Sequence, residues 1–249
     1  MELPEDLTIK YLDLSHKSLT KIPDLTKYIN LIILDLHDNQ IQIIENLPQS
    51  LERLYLNNNH ITKIENLPQY LINLYLHYNN IQILENLPQS LKYIKIANNK
   101  ITKIENLPPN LIYLDLVNNQ IIKIENLPQS LVDLYLDNNH IQALENLPQS
   151  ITSMGISNNK IDKIENLPRN LTSLYLNVNK INKIKNLPPN LITLYLGDNP
   201  INEIKSLSQS LKYVYMYSKI VNITRLQLIL QLDLLYDIEN NKILEPIIL

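Results

Sequence analysis

Apolar residues recur along this chain with a period of 20. From Leu31 to Ser210 the unit LxxLxLxxNxIxxIENLPxx repeats nine times without an insertion, as in LERLYLNNNHITKIENLPQS beginning at Leu51. The first, fourth, sixth, eleventh, fourteenth and seventeenth positions are apolar in every copy, and the ninth is Asn in every copy. A looser copy of 22 residues runs from Ile9 to Asn30, with Leu12, Leu14, Leu19 and Ile22 in register, and a degraded copy starts at Leu211. The alternation in LxxLxL predicts a short strand. Each unit must travel round before it returns, so successive strands pair in parallel, and stability comes from stacking neighbours. A Leu-Pro step, present from Leu47-Pro48 to Leu187-Pro188, favours extended backbone. With about ten residues between strands, the return path is expected to be extended or a single 3₁₀ turn. The Asn should turn the chain out of the strand and satisfy backbone groups of its own loop and the next.

This pattern resembles the leucine-rich repeat family over nearly the whole chain. The IxxIENL half is similar to repeats of the protein-phosphatase-regulating type. The 20-residue unit with Leu-Pro looks like bacterial effector repeats, and the Asn- and Ile-rich near-identity looks like proteins of giant viruses or AT-rich genomes. The resemblance implies an α/β-type, mostly β solenoid: a right-handed horseshoe with about eleven short parallel strands on the concave face, an extended or 3₁₀ convex side, and a C-terminal cap. The expected organisation is one domain over 1–249, comprising an edge (1–8), a divergent repeat (9–30), nine regular repeats (31–210) and a degenerate repeat with cap (211–249). Within the cap, Leu226, Leu228, Leu230, Leu232 and Leu234 alternate as in a strand, while Leu and Gln favour helix; a helix is the expectation.

Composition narrows the function classes. The 249 residues are 45% hydrophobic and 19% charged with a net charge of -3, which offers no basic footprint for nucleic acid. The absence of cysteine removes disulfides, thiol catalysis and Cys-ligated zinc, and with it the essential cysteine of effector ligases. No apolar run approaches a membrane span, and MELPEDLTIK lacks the pattern of a signal peptide, so a cytoplasmic location is expected. Two glycines are too few for phosphate-cradling loops, and no cofactor is expected.

In the leucine-rich repeat family the concave face usually meets the partner. There the aromatic count becomes informative, because 12 of the 15 tyrosines fall on non-core strand positions. The fifth position holds Tyr55, Tyr75, Tyr135, Tyr175, Tyr195 and Tyr215; the third holds Tyr11, Tyr93, Tyr113 and Tyr213; Tyr78 and Tyr217 complete the set. At about 4.8 Å per strand they form a strip roughly 50 Å long. Tyrosine is enriched at binding surfaces, and a duplicated packing column is the alternative reading. Asp35, Lys95, Asp115 and Gly155 interrupt the fifth position. His37, Asn57, His77, Ala97, Val117 and Asp137 vary at the seventh, and Arg53, Asn73 and Asp133 at the third. The expected protein-binding residues are therefore His37, Arg53, Tyr55, Tyr75, His77, Tyr93, Lys95, Tyr113, Asp115, Tyr135, Tyr175 and Tyr195. Mixed charge points to a protein surface, with no nucleic acid or membrane partner. A phosphatase regulatory subunit and a self-associating structural or virion component are the alternatives to a monomeric scaffold.

No catalytic or metal-ligating set is assigned. Ser15, His16, His37, His77, Asp35 and Asp115 could be drawn as a triad, but no nucleophile turn accompanies them. His60 and His140 are four repeats apart. The Glu column from Glu45 to Glu165 reads as a solvated edge beside Lys63, Lys103, Lys123, Lys163 and Lys183.

Overall fold

The structure is a computed structural model and describes residues 3–204, 207–216, 234–237 and 242–243. Each LxL forms one short strand: β1 (Tyr11–Asp13), β2 (Ile33–Asp35), β3 (Arg53–Tyr55), β4 (Asn73–Tyr75), β5 (Tyr93–Lys95), β6 (Tyr113–Asp115), β7 (Asp133–Tyr135), β8 (Ser153–Gly155), β9 (Ser173–Tyr175), β11 (Thr193–Tyr195) and β13 (Tyr213–Met216). Between them lie β10 (Lys183–Ile184) and β12 (Glu203–Ile204), and beyond them β14 (Leu234–Asp237) and β15 (Lys242–Ile243).

The chain packs as two compact units, Met1–Gln120 with Asn126–Leu131, and Ile121–Glu125 with Val132–Leu249. In the first, β1 to β6 pair in parallel and in sequence order. In the second, β7, β8, β9, β11 and β13 do the same. The eleven strands expected from the repeat are thus present as six and five. The register is the repeat itself, with Leu54 opposite Leu74 and Tyr55 opposite Tyr75. Alternation sends the fourth- and sixth-position side chains into the core, where Leu54, Leu56, Leu74 and Leu76 are fully buried. The eleventh- and fourteenth-position residues, such as Ile61 and Ile64, close that core from the return path.

The ninth-position Asn is a ladder rung. The Asn59 amide donates to Leu56 O (3.1 Å) and, one repeat back, to Leu36 O (3.0 Å), while its Oδ1 accepts from Ile41 N (2.9 Å). Asn79, Asn99 and Asn119 repeat the arrangement in the first unit, and Asn159, Asn179 and Asn199 in the second. A planar carboxamide is needed, since one end must donate twice while the other accepts.

The eighth and sixteenth positions have positive φ, from Asp38 and Asn46 through Asn58 and Asn66 to Asn186 and Asp198. Asn tolerates the left-handed region best after Gly, so a chain with two glycines turns its corners with Asn. The sixteenth-position amides also reach back one repeat, Asn66 donating to Ile44 O at 3.0 Å. Val178, with φ of 54°, is the β-branched exception.

The return path is extended, closed by one turn in which Leu71 N donates to Pro68 O at 3.2 Å and Leu91 N to Pro88 O at 3.2 Å. No helix occurs among the described residues, and none there is long and apolar enough to cross a membrane. The N-terminal edge is pinned by Tyr28, which is fully buried and donates its hydroxyl to Pro4 O at 2.7 Å. At the other end, β14 pairs in parallel with β13 and β15 turns back antiparallel. The described part of the cap is therefore strand, which corrects the expected helix at Leu234; Leu226 to Leu232 lie outside the described residues.

Two stability changes follow. Asn99→Ala strands Ile81 N, while the carbonyls of Leu76 and Ile96 keep the amides of Asn79 and Asn119 as donors, and should lower unfolding free energy by about 1–3 kcal/mol in urea titrations. Val178→Asn, which removes the left-handed penalty on a branched side chain, should raise it by about 1 kcal/mol.

Candidate functional site

The same alternation that buries the fourth and sixth positions turns the third and fifth to the open face of the sheet. Registered strands hold identical side chains one strand spacing apart, about 4.8 Å, and the tyrosine rings stack at nearly that interval. Tyr55 and Tyr75 have ring centroids 4.4 Å apart and planes within 12°. In the second unit Tyr175, Tyr195 and Tyr215 form a three-ring stack at 4.8 and 4.1 Å. On the third position Tyr93 and Tyr113 are tilted at 6.4 Å, and Tyr93 is exposed. Lys95 takes the next place in the fifth-position column, its Nζ 5.7 Å from the Tyr75 ring and 5.1 Å from that of Tyr113. Gly155 leaves room for a neighbour: a Cβ there would stand 2.9 Å from Tyr135 Cδ1. Tyr135 Oη lies 3.3 Å from Ser153 Oγ.

Burial in these stacks makes two of the phenols harder to ionise. It pushes Tyr195 up to about 12, helped by its hydrogen bond with Tyr215, and it raises Tyr55 with Tyr75 adding to the effect. Burial likewise raises the Asp133 carboxyl.

Several of the polar side chains that vary across the face have backbone partners. A fifth-position Asp accepts from the seventh-position N–H of its own repeat: Asp13 from Ser15 (2.9 Å), Asp35 from His37 (3.1 Å), Asp115 from Val117 (3.0 Å). Elsewhere a seventh-position side chain serves the repeat that follows: Asn57 accepts from His77 N (2.8 Å), His77 Nδ1 from Ala97 N (3.0 Å), Asp137 from Ser157 N (2.7 Å) and Asn177 from Gly197 N (2.7 Å). Sequence reasoning took this variety as recognition chemistry and missed its backbone role, because the partner N–H belongs in several cases to the next repeat.

The drawn triad does not assemble. Ser15 donates its hydroxyl to Asp13 at 2.6 Å, and His37 Nδ1 meets Asp35 at 2.6 Å. Along the outer edge, Glu165 pairs with Lys185 at 3.3 Å and Glu203 with Lys183 at 3.0 Å; Lys185 occupies the Glu column itself, and Lys183 pairs with the following repeat.

Both the parallel register and the Asn ladder reproduce what the repeat implied. The chain has the leucine-rich repeat fold. The FNIP repeat model matches residues 58–99 and 118–159. Among solved structures of similar fold, the functional domain of InlJ from Listeria monocytogenes is 24% identical with a TM-score of 0.73, over 85% of this chain and 49% of that one. YopM from Yersinia pestis, a leucine-rich effector protein, is 26% identical with a TM-score of 0.62, over 85% and 72%. A chain of the octameric complex of Latrophilin 3, Unc5D and the leucine-rich repeat of FLRT2 is 23% identical with a TM-score of 0.73, over 86% and 76%. The chain thus spans about half the length of the InlJ domain. No curated protein sequence matches it.

In this leucine-rich repeat fold, the structure places Arg53, Tyr55, Tyr75, Tyr93, Lys95, Tyr113 and Asp115 on adjacent strands β3 to β6 of the first unit, with His37 and His77 just past β2 and β4. Tyr135, Tyr175 and Tyr195 lie on β7, β9 and β11 of the second. One tyrosine escaped the periodicity: Tyr236 in β14 is in register with Tyr215, after a stretch in which the repeat is no longer readable.

His77 supplies a pH-dependent prediction. Burial pushes its imidazole below the ordinary 6.5, against the pull of Asp115 and with the help of Lys95. Because the folded-state value is depressed, its contribution to stability is complete above 6.5 and is lost as the pH falls through the folded-state value. Between about pH 7 and about pH 5, the native chain should lose more stability than His77→Asn, whose carboxamide keeps an acceptor for Ala97 N. Parallel urea midpoints for the two chains over this range would show that histidine is not the titrating group.

Proposed function

We propose that the open face of the first unit binds a partner protein, with Tyr55, Tyr75, Tyr93 and Tyr113 as anchors and Arg53, Lys95 and Asp115 setting specificity. Tyr135, Tyr175 and Tyr195 give the second unit an aromatic surface of its own. The observation that carries this reading is the stacked, half-buried order of the rings. Their rotamers are already restricted before any partner arrives, so contact with them costs little further side-chain entropy. Aromatic area flanked by charges of both signs suits a protein surface better than a polyanion. Fold analogy adds support, since a leucine-rich repeat of similar fold assembles with other proteins in the FLRT2 complex. The role is that of a binding scaffold and includes no reaction.

The test uses residues the chain already carries at the fifth position. Tyr55→Asp and Tyr75→Lys place there the residues of the adjoining repeats, Asp35 and Lys95, so the solenoid should keep its circular dichroism and unfolding cooperativity. A partner captured from cell extract by the native chain should bind the double variant at least about 30-fold more weakly, the loss typical of central aromatic anchors. Equal affinity for both chains would make the tyrosines packing alone. Assembly growing with concentration in light scattering, abolished by the same variant, would replace the foreign partner with a second copy.

A further inference from the structure

The junction between the 22-residue first copy and the regular repeats brings together three ligating atoms that the periodic pattern keeps apart elsewhere. His16 stands at the eighth position of its copy; His37 and Asp38 are the seventh and eighth of the next. His16 N donates to His37 O at 3.1 Å, which fixes the two loops side by side. His16 and Asp38 both have left-handed backbone, with φ of 54° and 53°. The result is His16 Nε2 at 3.1 Å from His37 Nε2, with Asp38 Oδ2 at 3.5 and 3.7 Å from them.

We propose that His16, His37 and Asp38 form a binding site for a divalent transition ion of the Zn²⁺ type. Ligands held about 2.0–2.1 Å from a tetrahedral zinc are themselves separated by about 3.3 Å. The three separations here bracket that value, so one ion reaches all three atoms with little movement of the side chains. Two imidazoles and one carboxylate suit zinc and its neighbours; calcium and magnesium require oxygen-rich sets. The side chains of His16, His37 and Asp38 are 65%, 32% and 35% exposed, so the fourth position faces solvent and takes a water.

A second contact supports the assignment independently. His37 Nδ1 lies 2.6 Å from Asp35 Oδ1. A carboxylate there holds the proton on Nδ1 and directs the Nε2 lone pair outward, the arrangement that orients and strengthens metal-bound histidines. With His37 Nε2 as an acceptor, the 3.1 Å contact makes His16 Nε2 the donor. Binding then requires His16 to carry its proton on Nδ1 instead, and neither ring changes charge.

The site is confined to this junction. Asn57 and Asn58 stand at the same two positions in the next repeat, His77 and Tyr78 in the one after, and Ala97 and Asn98 beyond that. No sequence spacing announced it, because His16 and His37 are 21 residues apart and sit one position out of register.

The experiment is titration calorimetry of the chelator-treated full chain with ZnCl₂, paired with visible absorption of the Co²⁺-loaded form. The variants His16→Asn, His37→Asn and Asp38→Asn each install the residue found at that position in the repeat beginning at Leu51, so they should fold. One Zn²⁺ should bind per chain, with the absorption of four-coordinate Co²⁺ and a raised thermal midpoint. Each His variant should weaken binding more than about tenfold and abolish that absorption. Variants His60→Asn and His140→Asn should bind as the native chain does. Absence of binding by the native chain, undiminished affinity in His37→Asn, or loss of binding only in the His60 or His140 variant would each overturn the site.

Discussion

A buried carboxamide that meets the backbones of two consecutive turns makes this repeat stackable. At the end of each short strand the chain must leave the sheet, and the turn exposes carbonyls and an N–H to a core of Leu and Ile. Unpaired, such groups would cost more than any one leucine contributes. The ninth-position Asn takes carbonyls from its own strand end and from the previous one, and accepts the N–H that begins the previous return path. The rung therefore exists only when the neighbouring repeat is in place, and the stacking is cooperative for that reason.

Left-handed corners are the companion constraint. Two bends per repeat need positive φ, and Asn supplies most of them. The abundance of Asn, which in composition alone looks like a compositional bias, is thus a set of conformational and hydrogen-bonding requirements at the eighth, ninth and sixteenth positions. His16, Ser18, Asp38, Tyr78, Val178 and Asp198 are the left-handed residues that are not Asn. Two of the six, His16 and Asp38, belong to the proposed ion site.

On the open face, strand spacing is transmitted directly to the side chains. In the fifth-position column identical rings one strand apart stack, and the half-buried phenols of Tyr55 and Tyr195 resist ionisation as a consequence. Much of the polar variety is engaged by the scaffold: Asp35, Asp115 and His77 each hold a backbone N–H. The face thus presents aromatic edges and hydroxyls with Arg53 and Lys95 among them, a simpler surface than the residue list implied.

Core positions, strand count, parallel pairing, the Asn rung and the fifth-position tyrosine column within each unit were all legible in the chain, because each is a property of one repeat multiplied by a fixed period. Period two places Leu54 inside and Tyr55 outside whatever the neighbours are. Tertiary structure alone decided what happens where copies differ or the period fails. It set Tyr236 beside Tyr215, gave His77 the N–H of Ala97, and brought His16 to His37 and Asp38 across a junction two residues longer than the rest. A period states which residues share a column; distances of an ångström between unlike side chains depend on the backbone turn that carries each one.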